Sequence, residues 1–324
     1  MPKLVDYQYR RPDYAHLKSE IEVLTETLAS AKTLKIATSA IDAYTEINNT
    51  IDTMYNLAGI RFSVNMDDAF YKAEDDYWNE YAPKFGELSS NFSRVLIESP
   101  LRSALEKLYP KTMFQLAESE IKSFNAAIVS LKQAENRLST QYNELIGSAQ
   151  LDFEGEIYTL PEMTRFTTDK ERIRRKAASE VVTAWYAENE AAFDDIYDKL
   201  VKNRHQQALT LGFENYAQMS LLVRQRFGYD LADIARYRKE ILDKVVPVVE
   251  KLYQRQAQRN GIAQQMYYDL PLAFPNGNAK PKGTTAEKIA AAQKMYRELS
   301  TETGEFFDFL IDHELLDLES RKGK

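Results

Sequence analysis

The sequence predicts a mainly α protein with one short β-strand or hairpin near residues 151–160. Glycine and proline are scarce, at 11 and 10 of 324 residues, so few positions interrupt a regular element. Charged residues make up 28% of the chain. Apolar residues recur at spacings of three and four, as at Leu17, Ile21, Leu24 and Leu28. This spacing places the side chains on one face of a helix.

The first 149 residues are predicted to form an N-terminal helical domain. Arg11-Pro12-Asp13 is typical of a helix entrance and is followed by the stripe from Leu17 to Leu28. Further stripes predict helices near 47–58 and 70–92, and Pro83 is expected to kink the second of these or to divide it in two. Two or three more helices are expected over 100–147, with Gly147 as a stop.

Residues 151–160 mark the predicted domain boundary. Their partly alternating pattern around Gly155 indicates a strand or hairpin. A second domain is therefore expected over 150–324. Capping boxes at Thr168–Glu171 and Thr284–Glu287 predict two helix starts. The proline-rich stretch 267–283 between them is predicted to be a surface loop.

Composition excludes several classes of function. The net charge of −7 argues against a general nucleic-acid binder, which needs excess Lys and Arg to neutralise phosphates. The absence of cysteine excludes disulfides, thiolate metal sites and cysteine nucleophiles. No signal-peptide pattern is visible at the start, and no run of about 18 apolar residues occurs. A cytoplasmic protein without membrane contact is therefore expected.

Histidines are the first candidates for a metal or catalytic site. His16 and His205 stand alone in charged helical contexts, where surface or packing roles are expected. The run from His313 to Asp317 reads H-E-x-x-D, one residue away from the zinc motif H-E-x-x-H. Asp317 could ligate zinc with His313, and Glu314 could activate a bound water. The alternative is a helix end packed on a core, because a third protein ligand has no clear source.

Other charged and aromatic groups leave two interpretations open. The basic cluster Arg172, Arg174, Arg175 and Lys176 could bind a phosphate or carboxylate, but neighbouring glutamates favour ordinary surface ion pairs. Adjacent acidic pairs such as Asp194-Asp195 are typical of solvated helix faces. The 20 tyrosines could line a peptide groove, although packing with the hydroxyl at the surface is more usual.

Several ordered sequence stretches resemble one family. Residues 204–216 read RHQQALTLGFENY and resemble the R-x-x-x-A-x-x-L-G-F-x-N-Y stretch of oligoendopeptidase F. Arg11-Pro12-Asp13, Phe153-Glu154-Gly155-Glu156, Tyr267-Tyr268-Asp269 and Lys280-Pro281-Lys282-Gly283 fit the same family, as do residues 295–307 and 315–324. The sequence is thus similar to oligoendopeptidase F, of the thimet-oligopeptidase-like zinc metallopeptidases, over essentially the whole chain.

This resemblance implies a two-lobed helical fold with a deep substrate channel. Residues 1–149 would be the multi-helix N-terminal lobe, and 150–324 the first helices of a neurolysin-like catalytic lobe. In the family, zinc is held by an H-E-x-x-H motif and a distal Glu, downstream of the position matching Lys324. No family metal ligand or general base has a matching position here, so no catalytic, cofactor-binding or metal residue is assigned.

The function that the resemblance implies is therefore that of one part of a larger enzyme. The expected parent is an intracellular zinc metalloendopeptidase that hydrolyses short peptides, and this part would form a wall of the channel. Its partners would be peptide substrates and the C-terminal catalytic half, with zinc bound by the parent and none by residues 1–324. The alternative is a non-enzymatic helical protein that binds peptides or a partner on the same scaffold.

Overall fold

The computed structural model describes residues 3–324 and confirms the mainly α fold. A two-stranded antiparallel hairpin is the β-structure of this part of the chain. The α-helices are α1 (Tyr14–Ala29), α2 (Leu34–Val64), α3 (Ala69–Glu98), α4 (Arg102–Leu105), α5 (Lys111–Ser123), α6 (Val129–Gly147), α7 (Leu160–Thr167), α8 (Arg172–Glu188), α9 (Glu190–Thr210), α10 (Tyr216–Val223), α11 (Leu231–Glu240), α12 (Val246–Arg259), α13 (Thr285–Leu299) and α14 (Thr301–Asp312). The strands are β1 (Leu151–Phe153) and β2 (Glu156–Tyr158).

Short irregular helices complete the structure. Single 3₁₀ turns occupy Leu4–Asp6, Ala126–Ile128 and Tyr267–Asp269, and a π-helical segment, Ile241–Val245, joins α11 to α12. In the described residues, no helix is both long enough and apolar enough to cross a membrane.

The chain forms two compact units, and each draws on separate stretches of sequence. Unit 1 contains the described residues up to Tyr9 together with Ile146–Glu188 and Pro247–Lys324. Unit 2 contains Arg10–Leu145 and Asn189–Val246. The sequence-based division into domains at 149/150 stays a prediction.

Unit 2 has a core made from the first helices of the chain. Asp13 begins α1 by accepting hydrogen bonds from the backbone of Ala15 and His16 at 3.0 and 3.2 Å. Apolar side chains of α1, α2, α3, α4 and α5 then meet in one cluster. Its most deeply buried members are Leu28, Ala37, Ala40, Ile41, Phe92, Leu105 and Phe114.

Of the two outcomes expected at Pro83, a kink or a division of the helix, the division is wrong. One helix runs from Ala69 to Glu98, with Pro83 buried inside it. Trp78 and Phe85, on either side of Pro83, are both buried with ring centroids 6.0 Å apart. Their burial offsets the one helical hydrogen bond that proline cannot donate.

Unit 1 is organised around the predicted hairpin. β1 pairs with β2 so that Leu151 faces Tyr158 and Phe153 faces Glu156. The intervening turn has φ of 57° at Glu154 and 85° at Gly155, the left-handed region that a tight hairpin turn requires. Leu151 and Phe153 point inward and join a core with Met163, Phe166 and Ala178 of α7 and α8.

One of the two predicted capping boxes is present. At α13, the amide of Thr284 donates to Glu287 at 2.7 Å, and the amide of Glu287 donates back to the Thr284 hydroxyl at 3.3 Å. The box predicted at Thr168–Glu171 is wrong. The hydroxyl of Thr168 instead donates back to the carbonyl of Thr164 at 2.7 Å, where α7 ends.

The helical hairpin α13–α14 in unit 1 is held mainly by contacts between its own two helices. Tyr296 stacks on Phe307 with centroids 4.7 Å apart. Arg297 donates to both carboxylate oxygens of Asp308 at 2.9 and 3.0 Å. A Cβ at Gly304 would lie 3.0 Å from the Arg297 Cα, so this glycine permits the close approach of the two helices.

Candidate functional site

Unit 2 contains a cleft of about 750 Å³. This volume is within the range of small-molecule sites, which is roughly 300–1,000 Å³. Helices α2, α3, α5 and α10 supply most of its walls. The apolar side chains of the walls include Ile41, Phe92, Leu96, Met113, Leu116, Met219 and Leu222.

Hydroxyl groups line the polar side of this cleft. The Tyr44 ring stacks on Phe92 with centroids 3.8 Å apart, and its hydroxyl contacts the hydroxyl of Ser89 at 2.9 Å. Burial raises the pKa of Tyr44 to about 12, so its phenol stays neutral at physiological pH. Ser119 donates to the carbonyl of Leu222 at 2.9 Å and thereby links α5 to α10.

The chemistry of the cleft favours binding over covalent catalysis. None of its lining residues is a histidine. A serine nucleophile needs an adjacent base that a third group orients. The Ser93 hydroxyl donates to Glu120 at 2.7 Å, but no residue in the walls of the cleft provides the rest of such an arrangement. An apolar wall with a few fixed polar groups suits recognition of a small or extended ligand.

The structure does not bring the H-E-x-x-D residues together on a helix. α14 ends at Asp312, and His313 is its C-cap. The ring centroids of His313 and Phe309 are 4.5 Å apart. Glu314 has a φ of 54° and pairs with Lys3. Asp317 pairs with Arg321 at 2.8 Å and with Lys324 at 3.0 Å. The hydrogen bonds from these two cations hold the pKa of Asp317 well below its usual range.

The other two histidines lie apart from this run. His16 is exposed on α1, 3.6 Å from Glu20, and His205 is exposed on α9. Over residues 3–324, no three His, Asp or Glu side chains are grouped so that they could hold a metal ion. His313, Glu314 and Asp317 are therefore not arranged as the zinc site that the H-E-x-x-D spacing suggested.

For part of the basic cluster, the surface ion pairs favoured by sequence are wrong. Arg175 is 1% exposed and Asp269 is 0% exposed, and they form an ion pair at 2.8 Å. Arg172 donates to the other oxygen of Asp269, also at 2.8 Å. Hydrogen bonding from Arg172, the amide of Met266 and Arg175 outweighs burial and holds the pKa of Asp269 well below its usual range. The cluster thus binds a carboxylate of its own chain.

The remaining cations of the cluster form the surface pairs expected from sequence. Arg174 contacts Glu154 at 2.6 Å and Asp169 at 3.0 Å. Lys176 contacts Glu180 at 3.4 Å, one helical turn away. Spacing along a helix predicts only the last of these pairs, because the partners of the arginines come from other elements.

Sequence reasoning missed a second buried carboxylate, Glu135 in unit 2. It accepts from Arg204 at 2.8 Å, Lys132 at 2.7 Å and Gln207 at 2.9 Å. Burial alone would raise the pKa of Glu135, but Lys132, Gln207 and Arg204 together lower it to about 2. Nothing around Glu135 in the sequence marks it as buried.

The family-like stretch 204–216 has a structural role in unit 2. Arg204 and Gln207 bond to Glu135, and Ala208 is fully buried. Gly212 has a φ of 83°, which lets the chain leave α9. Asn215 then caps α10 by accepting from the amide of Gln218 at 3.2 Å. The residues that carry the family resemblance in this stretch therefore determine where α9 ends and where α10 begins.

Comparison with known proteins finds the same similarity in a family model and in solved structures. Residues 4–124 match the model of the Peptidase M3 N-terminal domain. The whole chain is similar to a protein assigned as oligoendopeptidase F from Bacillus anthracis str. Ames, with a TM-score of 0.97 and 42% identity over 60% of that protein's chain. PZ peptidase A, solved with an inhibitor, matches 99% of this chain with a TM-score of 0.97 and 38% identity, over 57% of its own chain.

A more distant structure shares the fold alone. Oligoendopeptidase-F from Enterococcus faecium is 14% identical, with a TM-score of 0.60 over 93% of this chain and 64% of its own. Among curated proteins, no match was found. The chain spans about three fifths of the length of the first two relatives. The chain is oligoendopeptidase F-like and matches the N-terminal domain of M3 peptidases at residues 4–124.

Proposed function

We propose that this chain is the N-terminal portion of a zinc-dependent metalloendopeptidase that hydrolyses short oligopeptides in the cytoplasm. Its role in peptide catabolism would be to form one wall of the substrate channel. The carrying observation is the similarity over the full chain to oligoendopeptidase F and PZ peptidase A. The inhibitor in the structure of PZ peptidase A supports a binding role for related peptidases.

The division of labour follows from the side chains that the described residues offer. A hydrolytic zinc site needs three protein ligands and a bound water. Residues 3–324 offer no such group of ligands, so we assign zinc and the hydrolytic step to the portion of the parent that corresponds to the remaining 40% or so of the relatives' length. The cleft and the helices of this chain would contribute binding and size selection.

The partner in this proposal is that C-terminal catalytic portion. Met295 and Leu299 on α13 and Phe306 on α14 are each more than half exposed. They lie on a hairpin whose inner face is already filled by the contact between α13 and α14. Exposed apolar side chains on a well-formed hairpin are typical of a surface that another polypeptide covers. We therefore assign this face to contact with the catalytic portion.

A peptidase assay tests the proposal directly. The 324-residue chain, supplied with zinc, should not cleave a quenched fluorescent oligopeptide. The full-length parent should cleave it, and a chelator should abolish the cleavage. Chelator-sensitive cleavage by highly pure 324-residue chain would contradict the assignment of zinc to the other portion.

A non-enzymatic function has one observation in its favour. The unit 2 cleft combines an apolar wall with fixed hydroxyls, which is enough for binding without catalysis. In that case the chain would bind peptides or a protein partner on a peptidase scaffold. The coding sequence downstream of Lys324 separates the two proposals, because an H-E-x-x-H motif in frame favours the enzyme and a stop codon favours the binder.

A further inference from the structure

The unit 2 cleft contains a carboxylate that has no cationic partner. Glu120 is half-buried on α5, and its only described hydrogen bond comes from the Ser93 hydroxyl at 2.7 Å. In the described chain no Lys, Arg or His forms an ion pair with it. Its neighbour Glu118, on the same helix, pairs with Arg102 at 2.6 Å. The contrast shows that ion pairing is available on α5 and that Glu120 lacks it.

The charge of Glu120 acts on the interior of the cleft. Burial is the main reason that the pKa of Tyr44 is raised, while the Ser89 hydroxyl lowers it and the negative charge of Glu120 raises it again. Lys132 also lines the cleft, but its charge is balanced by Glu135 at 2.7 Å. The uncompensated charge within the cleft is therefore negative.

Apolar side chains line the same cleft as this carboxylate. Phe92, Met113 and Leu222 are among its walls, and Tyr44 and Ser119 add hydroxyls that can accept hydrogen bonds. A carboxylate beside an apolar surface selects a ligand that carries an ammonium group close to an apolar side chain. The N-terminal residue of a peptide has this combination, because its α-ammonium lies one carbon away from the side chain.

We propose that the unit 2 cleft binds the N-terminal residue of a short peptide, with the α-ammonium on Glu120 and an apolar side chain against Met113, Leu116 and Leu222. The main-chain amide that follows would donate to the Tyr44 hydroxyl. This binding is a property of unit 2 alone, so it holds whether or not the parent is a peptidase.

Titration calorimetry on the 324-residue chain tests this assignment. The probes are leucyl-phenylalanine amide and its N-acetyl derivative, which lacks the ammonium. Acetylation should weaken binding about 10-fold or more, because a charge-assisted hydrogen bond is lost. Glu120→Gln should weaken binding of the free peptide by a similar factor. Glu118→Gln, the same change of charge on the same helix, should leave the affinity unchanged.

The variants also separate binding from folding. A glutamine at position 120 can still accept the Ser93 hydrogen bond, so the denaturation midpoint should match that of the original chain. Equal binding of the two probes, or no binding of either at millimolar concentration, would overturn the proposal. The proposal would also be overturned if an N-acetylated peptide with a lysine side chain bound as tightly as leucyl-phenylalanine amide. Recognition would then require only an ammonium group and not a peptide N-terminus.

Discussion

The buried pair of Arg175 and Asp269 predicts a large and local loss of stability in unit 1. Arg175→Met keeps the length and apolar stem of the side chain but removes the guanidinium. That group donates to the carbonyl of Tyr268 at 2.7 Å, the carbonyl of Asp169 at 2.7 Å and the carboxylate of Asp269 at 2.8 Å. It also donates to the carbonyl of Lys170 at 3.3 Å, so the variant leaves three carbonyls and one carboxylate oxygen without this donor.

The expected loss in the free energy of unfolding is about 3 kcal/mol. Removing one partner of a buried ion pair costs about 3–5 kcal/mol. The lower end applies because Arg172 still contacts Asp269 at 2.8 Å and the amide of Met266 donates to it at 3.0 Å. At about 2–4 °C for each kcal/mol, the melting temperature of unit 1 should fall by roughly 6–12 °C.

Tryptophan fluorescence during denaturant unfolding measures this loss in the correct unit. The chain has two tryptophans, Trp78 in unit 2 and Trp185 in unit 1. In a Trp78→Phe background, the signal of Trp185 reports on unit 1. Arg174→Met is the matched control because its pair with Glu154 is exposed, with side chains 39% and 50% accessible. The control should cost less than about 1 kcal/mol.

Acid should remove the contribution of the same pair. The pKa of Asp269 lies below its usual range, so its stabilising effect is fully present above the pKa of about 3.9 in the unfolded chain and is lost as pH falls below that value. The difference between the original chain and Arg175→Met should therefore shrink in acid. Equal losses for Arg175→Met and Arg174→Met at pH 7 would refute the reasoning.

Three further predictions follow from other contacts. Glu135, with a pKa lowered to about 2, should make unit 2 about 2 kcal/mol less stable at pH 3 than at pH 7, and Glu135→Gln should remove this pH dependence in denaturant titrations. Gly155→Ala should lower the free energy of unfolding by about 1–2 kcal/mol because the φ of Gly155 is 85°. Gly59→Ala, inside α2 with open space for the added Cβ, should raise it by about 0.5–1 kcal/mol, and thermal melts compare the two variants. Leu299→Asp should leave the melting temperature of the 324-residue chain unchanged but abolish its association with the catalytic portion in gel filtration. Lys294→Asp, on the charged side of α13, should leave this association intact. If the Leu299→Asp variant still associates, this face is not part of the interface.

The sequence predicts helices well wherever apolar spacing and local capping decide the structure. The stripe from Leu17 to Leu28 lies within α1, and the box at Thr284 begins α13. The box at Thr168 fails because the same hydroxyl can bond backward to the carbonyl of Thr164 and end α7. Pro83 fails as a break because burial of its neighbours outweighs a local preference.

The candidate sites could be predicted only in part, because their residues are distant in sequence. Arg175 and Asp269 are 94 positions apart, and Glu135 and Gln207 are 72 apart. No periodicity connects such positions. The H-E-x-x-D run shows the opposite error, since residues close in sequence are separated by the end of α14 and a left-handed residue at Glu314. The family resemblance gave no account of the unit 2 cleft.

The interleaved composition of the two units has a consequence for the order of events during synthesis. Every residue of unit 2 has been synthesised once Val246 is added, so this unit can fold while the rest of unit 1 is still being translated. Unit 1 must wait, because the amide of Leu4 bonds to the carbonyl of His313 at 3.2 Å and the amide of Gly323 bonds to the carbonyl of Gly147 at 3.1 Å. The N-terminal segment is thus synthesised first but is among the last to form its native contacts. Premature termination before His313 would leave a folded unit 2 covalently attached to an incompletely folded unit 1.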